Sequence, residues 1–263
     1  MIINYKIPFS KYRKVARTFC KIFQFIWTPF ANRKILRHLN GSKIDYRDIP
    51  VIIINFNRIS YLVKLLNWLE NAGMRNIYII DNASSNPLVL DYYEQTKHNV
   101  IKLNVNLGYK VFWDTPIHLW FKGLPYILTD PDVLPEENCP LDAVQFLQEV
   151  LNKYSDINKV GFGLQIDDIP DFYYKKAEVI EWETKFWMNP ISENLYKADI
   201  DTTFALYRAN SVKQQWGKTL RTGGNYLIKH LPWYENSNFL SEEELYYGKM
   251  MIGSSWCAKQ QLV

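Results

Sequence analysis

A chain of 263 residues is long enough for one large α/β domain and too short for two full-sized ones with a tail. Hydrophobic residues at 48% and charged residues at 22% are globular values and exclude a disordered chain. The net charge of +4 is unevenly spread: residues 1–47 hold 11 Lys or Arg against Asp45 alone, a balance of +10, and the remainder carries −6.

The basic head interleaves its charges with Phe19, Ile22, Phe23, Phe25, Ile26 and Trp27. Val15, Phe19, Ile22, Phe23 and Ile26 recur at helical spacing, so an amphipathic helix is expected from about Lys11 to Trp27. Basic and apolar residues together favour peripheral contact with a membrane surface through residues 11–37 over a nucleic-acid partner; the alternative is a helix packed on the domain that follows. Lys21 and Gln24 leave the apolar stretch too short and too polar to span a bilayer, and no small-residue cleavage site of a secretory leader is evident. Cys20, Cys139 and Cys257 are odd in number and widely spaced, which gives no disulfide framework and points to a reducing, cytoplasmic compartment.

The composition changes at Pro50, so the chain divides into a basic helical segment over 1–47 and one catalytic domain over 48–263, with halves at 48–135 and 136–263. Val51-Ile52-Ile53-Ile54 reads as a strand buried on both faces of a parallel sheet. A helix is predicted from Ser60, a candidate N-cap, to Ala72, stopped by Gly73. Ile77 to Ile80 makes the next buried strand, and strand, helix and strand form a βαβ unit with its ligand site at the carboxyl ends of the strands. Asn55, Asn57, Arg58, Asp81 and Asn82 fall at those ends. Further elements are a helix over Pro87 to Thr96, strands at Val100 to Leu103 and Tyr126 to Thr129, a helix over Leu141 to Tyr154, and a strand at Lys159 to Ile166. An aromatic-rich loop follows over Tyr173 to Trp187, and then a strand at Thr202 to Tyr207.

The Tyr126 strand runs directly into Asp130-Pro131-Asp132. Two carboxylates one residue apart at a strand end form a hard-oxygen site of the kind that Mg²⁺ or Mn²⁺ uses while also holding phosphate oxygens; a plain turn around Pro131 is the alternative. No GxxxxGK[ST] loop or GxSxG elbow is present, and Gly161-Phe162-Gly163 lacks the third glycine of a dinucleotide fingerprint.

In order, Val51-Ile52-Ile53-Ile54-Asn55-Phe56-Asn57-Arg58, Ile79-Ile80-Asp81-Asn82-Ala83-Ser84, Asn106-Leu107-Gly108 and Asp130-Pro131-Asp132 resemble the nucleotide-binding half of GT-A glycosyltransferases, especially the family 2 type. The resemblance covers residues 50 to 135 well and the rest loosely. It implies a GT-A type, Rossmann-like mixed sheet, mainly parallel and flanked by helices. The implied activity is that of a hexosyltransferase moving a sugar from a nucleotide-sugar donor, a UDP-sugar for preference, to a glycan or lipid-linked acceptor in surface polysaccharide synthesis at the inner face of a membrane. It makes Asn55, Asn57, Arg58, Asp81 and Asn82 nucleotide contacts, Asp132 a metal ligand and Asp130 a metal or ribose contact. The late His230 becomes a further ligand to the same metal, which suits neutral imidazole.

Inverting members of the family place a carboxylate base in a Glu-Asp motif, and this sequence has no such dipeptide. Asp201, then Asp168, are the substitutes, each also readable as a turn or capping carboxylate. Trp182, Trp187 and Trp233 are candidates for stacking on sugar, with core packing as the alternative. Two other functions stand beside this one. A sugar-phosphate nucleotidyltransferase shares the sheet and the metal chemistry but usually carries a Gly-rich loop after its first strand, where Asn55-Phe56-Asn57-Arg58 has no glycine. The second is a non-catalytic glycan-binding or scaffold module.

Overall fold

The computed structural model describes residues 1–6, 44–201, 203–211, 213 and 216–251. The helix expected from Lys11 to Trp27, and with it the membrane contact through residues 11–37, lies outside the described residues. In chain order the first half contains β1 (Ile2–Tyr5), β2 (Val51–Asn55), α1 (Ser60–Asn71), β3 (Ile77–Asp81), α2 (Pro87–Gln95), β4 (Asn99–Leu103), the one-turn α3 (Val111–Asp114), β5 (Tyr126–Thr129) and β6 (Val133–Pro135). The second half contains α4 (Ala143–Lys153), β7 (Lys159–Gly161), β8 (Gly163–Leu164), α5 (Lys176–Thr184), β9 (Pro190–Ser192), β10 (Leu195–Lys197), β11 (Ala205–Tyr207), β12 (Thr219–Thr222), β13 (Leu227–His230) and α6 (Glu242–Met250).

Ten of these strands form one mixed sheet in the order β1-β4-β3-β2-β5-β11-β7-β12-β10-β9. The first five are mutually parallel, and the run β4-β3-β2-β5 has the strand order of half a Rossmann sheet. β11 then runs antiparallel to both β5 and β7. A small second sheet, β6-β13-β8, stands beside it. The fold is thus a mixed α/β, Rossmann-like architecture.

Alternate residues of β2 serve the two faces. Val51 and Ile53 join Leu62, Leu65, Leu66 and Leu69 of α1 and Leu147 of α4, whereas Ile52 and Ile54 join Phe112, Ile117 and Phe121 on the other side. The unbroken β-branched run is therefore the signature of a strand covered on both faces. Each of those α1 leucines is essentially fully buried and contributes roughly 1.5–3 kcal/mol before ordering costs. α1 ends where Gly73 adopts φ +76°, so that Gly73 N–H donates to Glu70 O and Met74 N–H to Leu69 O, both at 2.9 Å. Its start differs from the sequence expectation. Ser60 is the first helical residue and not the cap; Ile59 N–H and Ser60 N–H donate instead to the Glu243 carboxylate of α6, at 2.9 and 3.1 Å.

β1 lies in the segment that the sequence reading sets ahead of the domain, yet Ile2 to Tyr5 pair with Val100 to Leu103 and extend the sheet by one strand. The strand expected at Lys159 to Ile166 is split at Phe162: β7 stays in the large sheet and β8 enters the small one. Gly161 and Gly163 permit this crossing because a Cβ on either would collide with the backbone oxygen of Phe204 or Thr222 respectively. The expected loop over Tyr173 to Trp187 contains α5, which has no apolar stripe to betray it: only Val179 and Glu183 are buried.

Candidate functional site

The sheet order reverses between β2 and β5, and a crevice outside the carboxyl ends of such strands is where open α/β sheets bind ligands. A cavity of about 430 Å³ lies there. Ile54, Phe56 and Arg58 at the end of β2 and Asn82 after β3 line one side, with Asn106 and Gly108. Asp130, Pro131, Asp132 and His230 also line it, as do Trp182, Glu183, Phe186, Asp199, Asp201, Trp216 and Arg221 from the second half of the chain.

Asp130-Pro131-Asp132 is the point at which the chain leaves the large sheet on β5 and enters the small one on β6. β13 pairs antiparallel with β6, with His230 opposite Val133, and Leu231 N–H donates to Asp132 O at 2.8 Å. This register carries His230 to the motif, with Nε2 at 3.5 Å from Asp132 Oδ2. The other ring nitrogen, Nδ1, is buried and accepts or donates no hydrogen bond.

Asp132 is also joined to the buried Arg58, whose Nη1 donates to Asp132 Oδ2. The same guanidinium donates through Nε and Nη2 to the two oxygens of Glu244, each at 2.8 Å, and the Tyr247 ring covers it at 3.7 Å. Burial opposes the charge on each of these groups. For Asp132, Arg58 and His230 override that effect and hold the carboxyl well below the usual carboxylate range. For Glu244, burial pulls the carboxyl upward, while two N–H donors on its two oxygens call for the ionised form. The α6 residues Glu243, Glu244 and Tyr247 escaped the sequence reading. The signal available was Ser241-Glu242-Glu243-Glu244, the sequence pattern of a capping box, of which the N-cap half forms: Ser241 Oγ accepts from Glu244 N–H at 3.3 Å. It marks a helix start and says nothing of what the helix touches.

Several expected nucleotide contacts are hydrogen-bonded within the fold. Asn55, Asn57 and Asp81 do not line the cavity. Asn55 donates to the Tyr93 hydroxyl at 2.8 Å. Asn57, at φ +55°, accepts from Ser85 N–H and Asn86 N–H at 2.7 and 2.8 Å and so holds the entry to α2. Asp81 is buried, which raises its pKa, and accepts from Ser84 N–H at 3.2 Å and the Tyr93 hydroxyl at 3.3 Å. Asn82 does reach the cavity but also fixes the 106–108 loop, accepting from Leu107 N–H at 2.9 Å and donating to Gly108 O at 3.0 Å. Arg58 reaches the cavity as the partner of two carboxylates. Of the two candidate bases, Asp201 is exposed and lines the cavity, whereas Asp168 does not. Asp168 is held by Lys229 Nζ at 2.6 Å and by the Tyr234 hydroxyl. Asp199 is engaged by Gly217 N–H at 2.6 Å, and Glu183 by Arg221.

Among the described residues, no three His, Cys, Asp or Glu side chains converge as a complete metal cage. Asp132 and His230 offer two donors facing an open cavity, which suits a cation that completes its shell with substrate oxygens. The charge of the lining agrees. Five carboxylates (Asp130, Asp132, Glu183, Asp199, Asp201) stand against two guanidinium groups (Arg58, Arg221), so an anionic diphosphate entering alone would meet net repulsion.

No protein-family model matches the chain, and no curated protein is similar to it in sequence. Among solved structures, a crystal structure of S. aureus TarS 1-349 is 14% identical with a TM-score of 0.37, over 60% of this chain and 46% of that one. The crystal structure of a mycobacterial protein is 9% identical with a TM-score of 0.42, over 73% of this chain and 72% of that one. The chain thus spans less than half of the TarS fragment, and neither likeness bears on the chemistry of the cavity.

Proposed function

We propose that this chain is a divalent-metal-dependent glycosyltransferase that moves a sugar from a nucleotide-sugar donor, a UDP-sugar for preference, to a glycan or lipid-linked acceptor. The observation that carries the reading is the meeting of Asp130, Asp132 and His230 in one acidic cavity at the strand-order reversal, together with Asp201 and two exposed tryptophans. Asn82 and the Gly108 loop border the nucleoside end. Asp132 and His230, with Asp130 beside them, would hold Mn²⁺ or Mg²⁺, which would supply positive charge to a leaving diphosphate.

Trp182 and Trp216, each about half exposed, each offer a flat surface for a sugar ring in the same cavity. Asp201 is the base that takes the proton from the acceptor hydroxyl. Asp168, tied to Lys229 and Tyr234, has no part in this step. No helix among the described residues is long and apolar enough to cross a membrane. Contact with a membrane surface through residues 11–37 belongs to the same proposal. Replacing the Lys and Arg residues of that segment with Gln should abolish flotation with anionic liposomes, and unchanged flotation contradicts it.

A thermal-shift screen of UDP-, GDP-, CMP- and dTDP-sugars with and without Mn²⁺ tests the reading, since a ligand at about 100 times its Kd stabilises by ~2.7 kcal/mol. The expected result is a shift with one nucleotude class that requires Mn²⁺. No shift with any of them favours a non-catalytic module.

A further inference from the structure

We infer that Glu244 is a positioning residue that sets how tightly a divalent cation is held at Asp132; this rests on the proposed cation site. Arg58 spends two of its N–H edges on Glu244 and its remaining nitrogen on Asp132, so one buried positive charge is divided between two carboxylates. A dication arriving at Asp132 must sit beside that guanidinium. With Glu244 ionised the triad carries a net −1 and attracts the ion. With Glu244 neutral the net charge is zero, and Arg58 bears on Asp132 alone. With Arg58 neutral the net charge is −2.

Glu244 is not alone in seating its helix. Glu243 binds Ile59 N–H and Ser60 N–H at the start of α1, and the Tyr246 hydroxyl pairs with Ser85 Oγ at 3.0 Å. The buried position of Glu244, 1% exposed, keeps its charge unscreened by solvent. Its influence on the site is therefore electrostatic and runs through Arg58.

The test is titration of the full chain with Mn²⁺ alone, following the loss of the free-ion electron paramagnetic resonance signal. Glu244→Gln should weaken Mn²⁺ binding on the order of tenfold, a one-charge change acting on a dication in a partly dry site. Arg58→Gln should tighten it by a similar factor, and Glu243→Gln should leave it unchanged. A merely structural role would loosen the site in both the Glu244 and the Arg58 variants. Unaltered affinity in Glu244→Gln, or weaker binding in Arg58→Gln, overturns the inference while the cation site stands. If the unsubstituted protein binds no Mn²⁺, the cation site itself fails and the inference with it.

Discussion

Arg58 and Glu244 are 186 positions apart in the chain and are joined edge to edge by two hydrogen bonds of 2.8 Å. The pair fastens the last described helix to the turn that follows the first strand of the βαβ unit. Truncating Glu244 leaves the Arg58 charge balanced by Asp132 but strips the partners from two buried charged donors, Nε and Nη2. Glu244→Ala should therefore lower the unfolding free energy by about 2–4 kcal/mol. Glu243→Ala, which removes a cap from α1, should cost ~0.5–2 kcal/mol. Urea denaturation of the two variants checks the ranking, and equal losses would contradict the burial argument.

Asn57 predicts a contrast between two substitutions. Its Oδ1 accepts from two backbone N–H groups at the entry to α2, while its Nδ2 is buried without a partner. Asn57→Ala should cost about 2–4 kcal/mol, from two orphaned donors and an alanine at positive φ. Asn57→Asp keeps the acceptor, discards the unpartnered donor and places a negative charge at a helix start, so its cost should stay within ~1 kcal/mol. Thermal denaturation near neutral pH distinguishes them.

Lys159 makes stability depend on alkaline pH. It is wholly buried, with Nζ donating to Ile200 O. Burial pushes its pKa down to about 8 from 10.5, against the opposite pull of Asp201 and Asp199. Between those values the unfolded chain binds the extra proton, so stability rises with pH; below about 8 both states are protonated and the penalty is constant. Relative to Lys159→Met, the native chain should gain up to about 3 kcal/mol from pH 8 to 10.5. A difference that stays flat across that range in urea melts would contradict the assignment.

Gly163→Ala should destabilise by about 1–3 kcal/mol, because its Cβ would meet the Thr222 carbonyl oxygen and the Trp187 ring together. The carbonyl belongs to a paired strand and cannot yield as a side chain would. A Tm unchanged from that of the native chain would show that the two sheets are less tightly joined than they look.

The parts of this fold legible in the sequence are those governed by local pattern. The Val51 to Ile54 run, the leucine spacing of α1, the Gly73 stop and the Tyr126 to Thr129 strand all depend on neighbours within a few residues. Long-range pairing leaves no such mark. β1 is four unremarkable residues that become a strand only because β4 has an open edge, and α5 buries a carboxylate where a helix usually buries leucine. Of the residues singled out in the sequence, Arg58, Asn82, Asp130, Asp132, Asp201 and His230 line one cavity, while Asn55, Asn57 and Asp81 are hydrogen-bonded within the fold beside it. Polar side chains at strand ends look alike in sequence whether they face a ligand or tie down the backbone beside it.

The most direct test of the cavity's function needs no acceptor: the release of nucleoside diphosphate from each nucleotide-sugar, with and without Mn²⁺, by the native chain and by Asp132→Asn. The proposed reaction predicts slow, Mn²⁺-dependent release from one donor class by the native chain, and a loss of about 100-fold or more in the variant, in line with the removal of a principal electrostatic contact. Release that is independent of Mn²⁺ and undiminished in Asp132→Asn would contradict it.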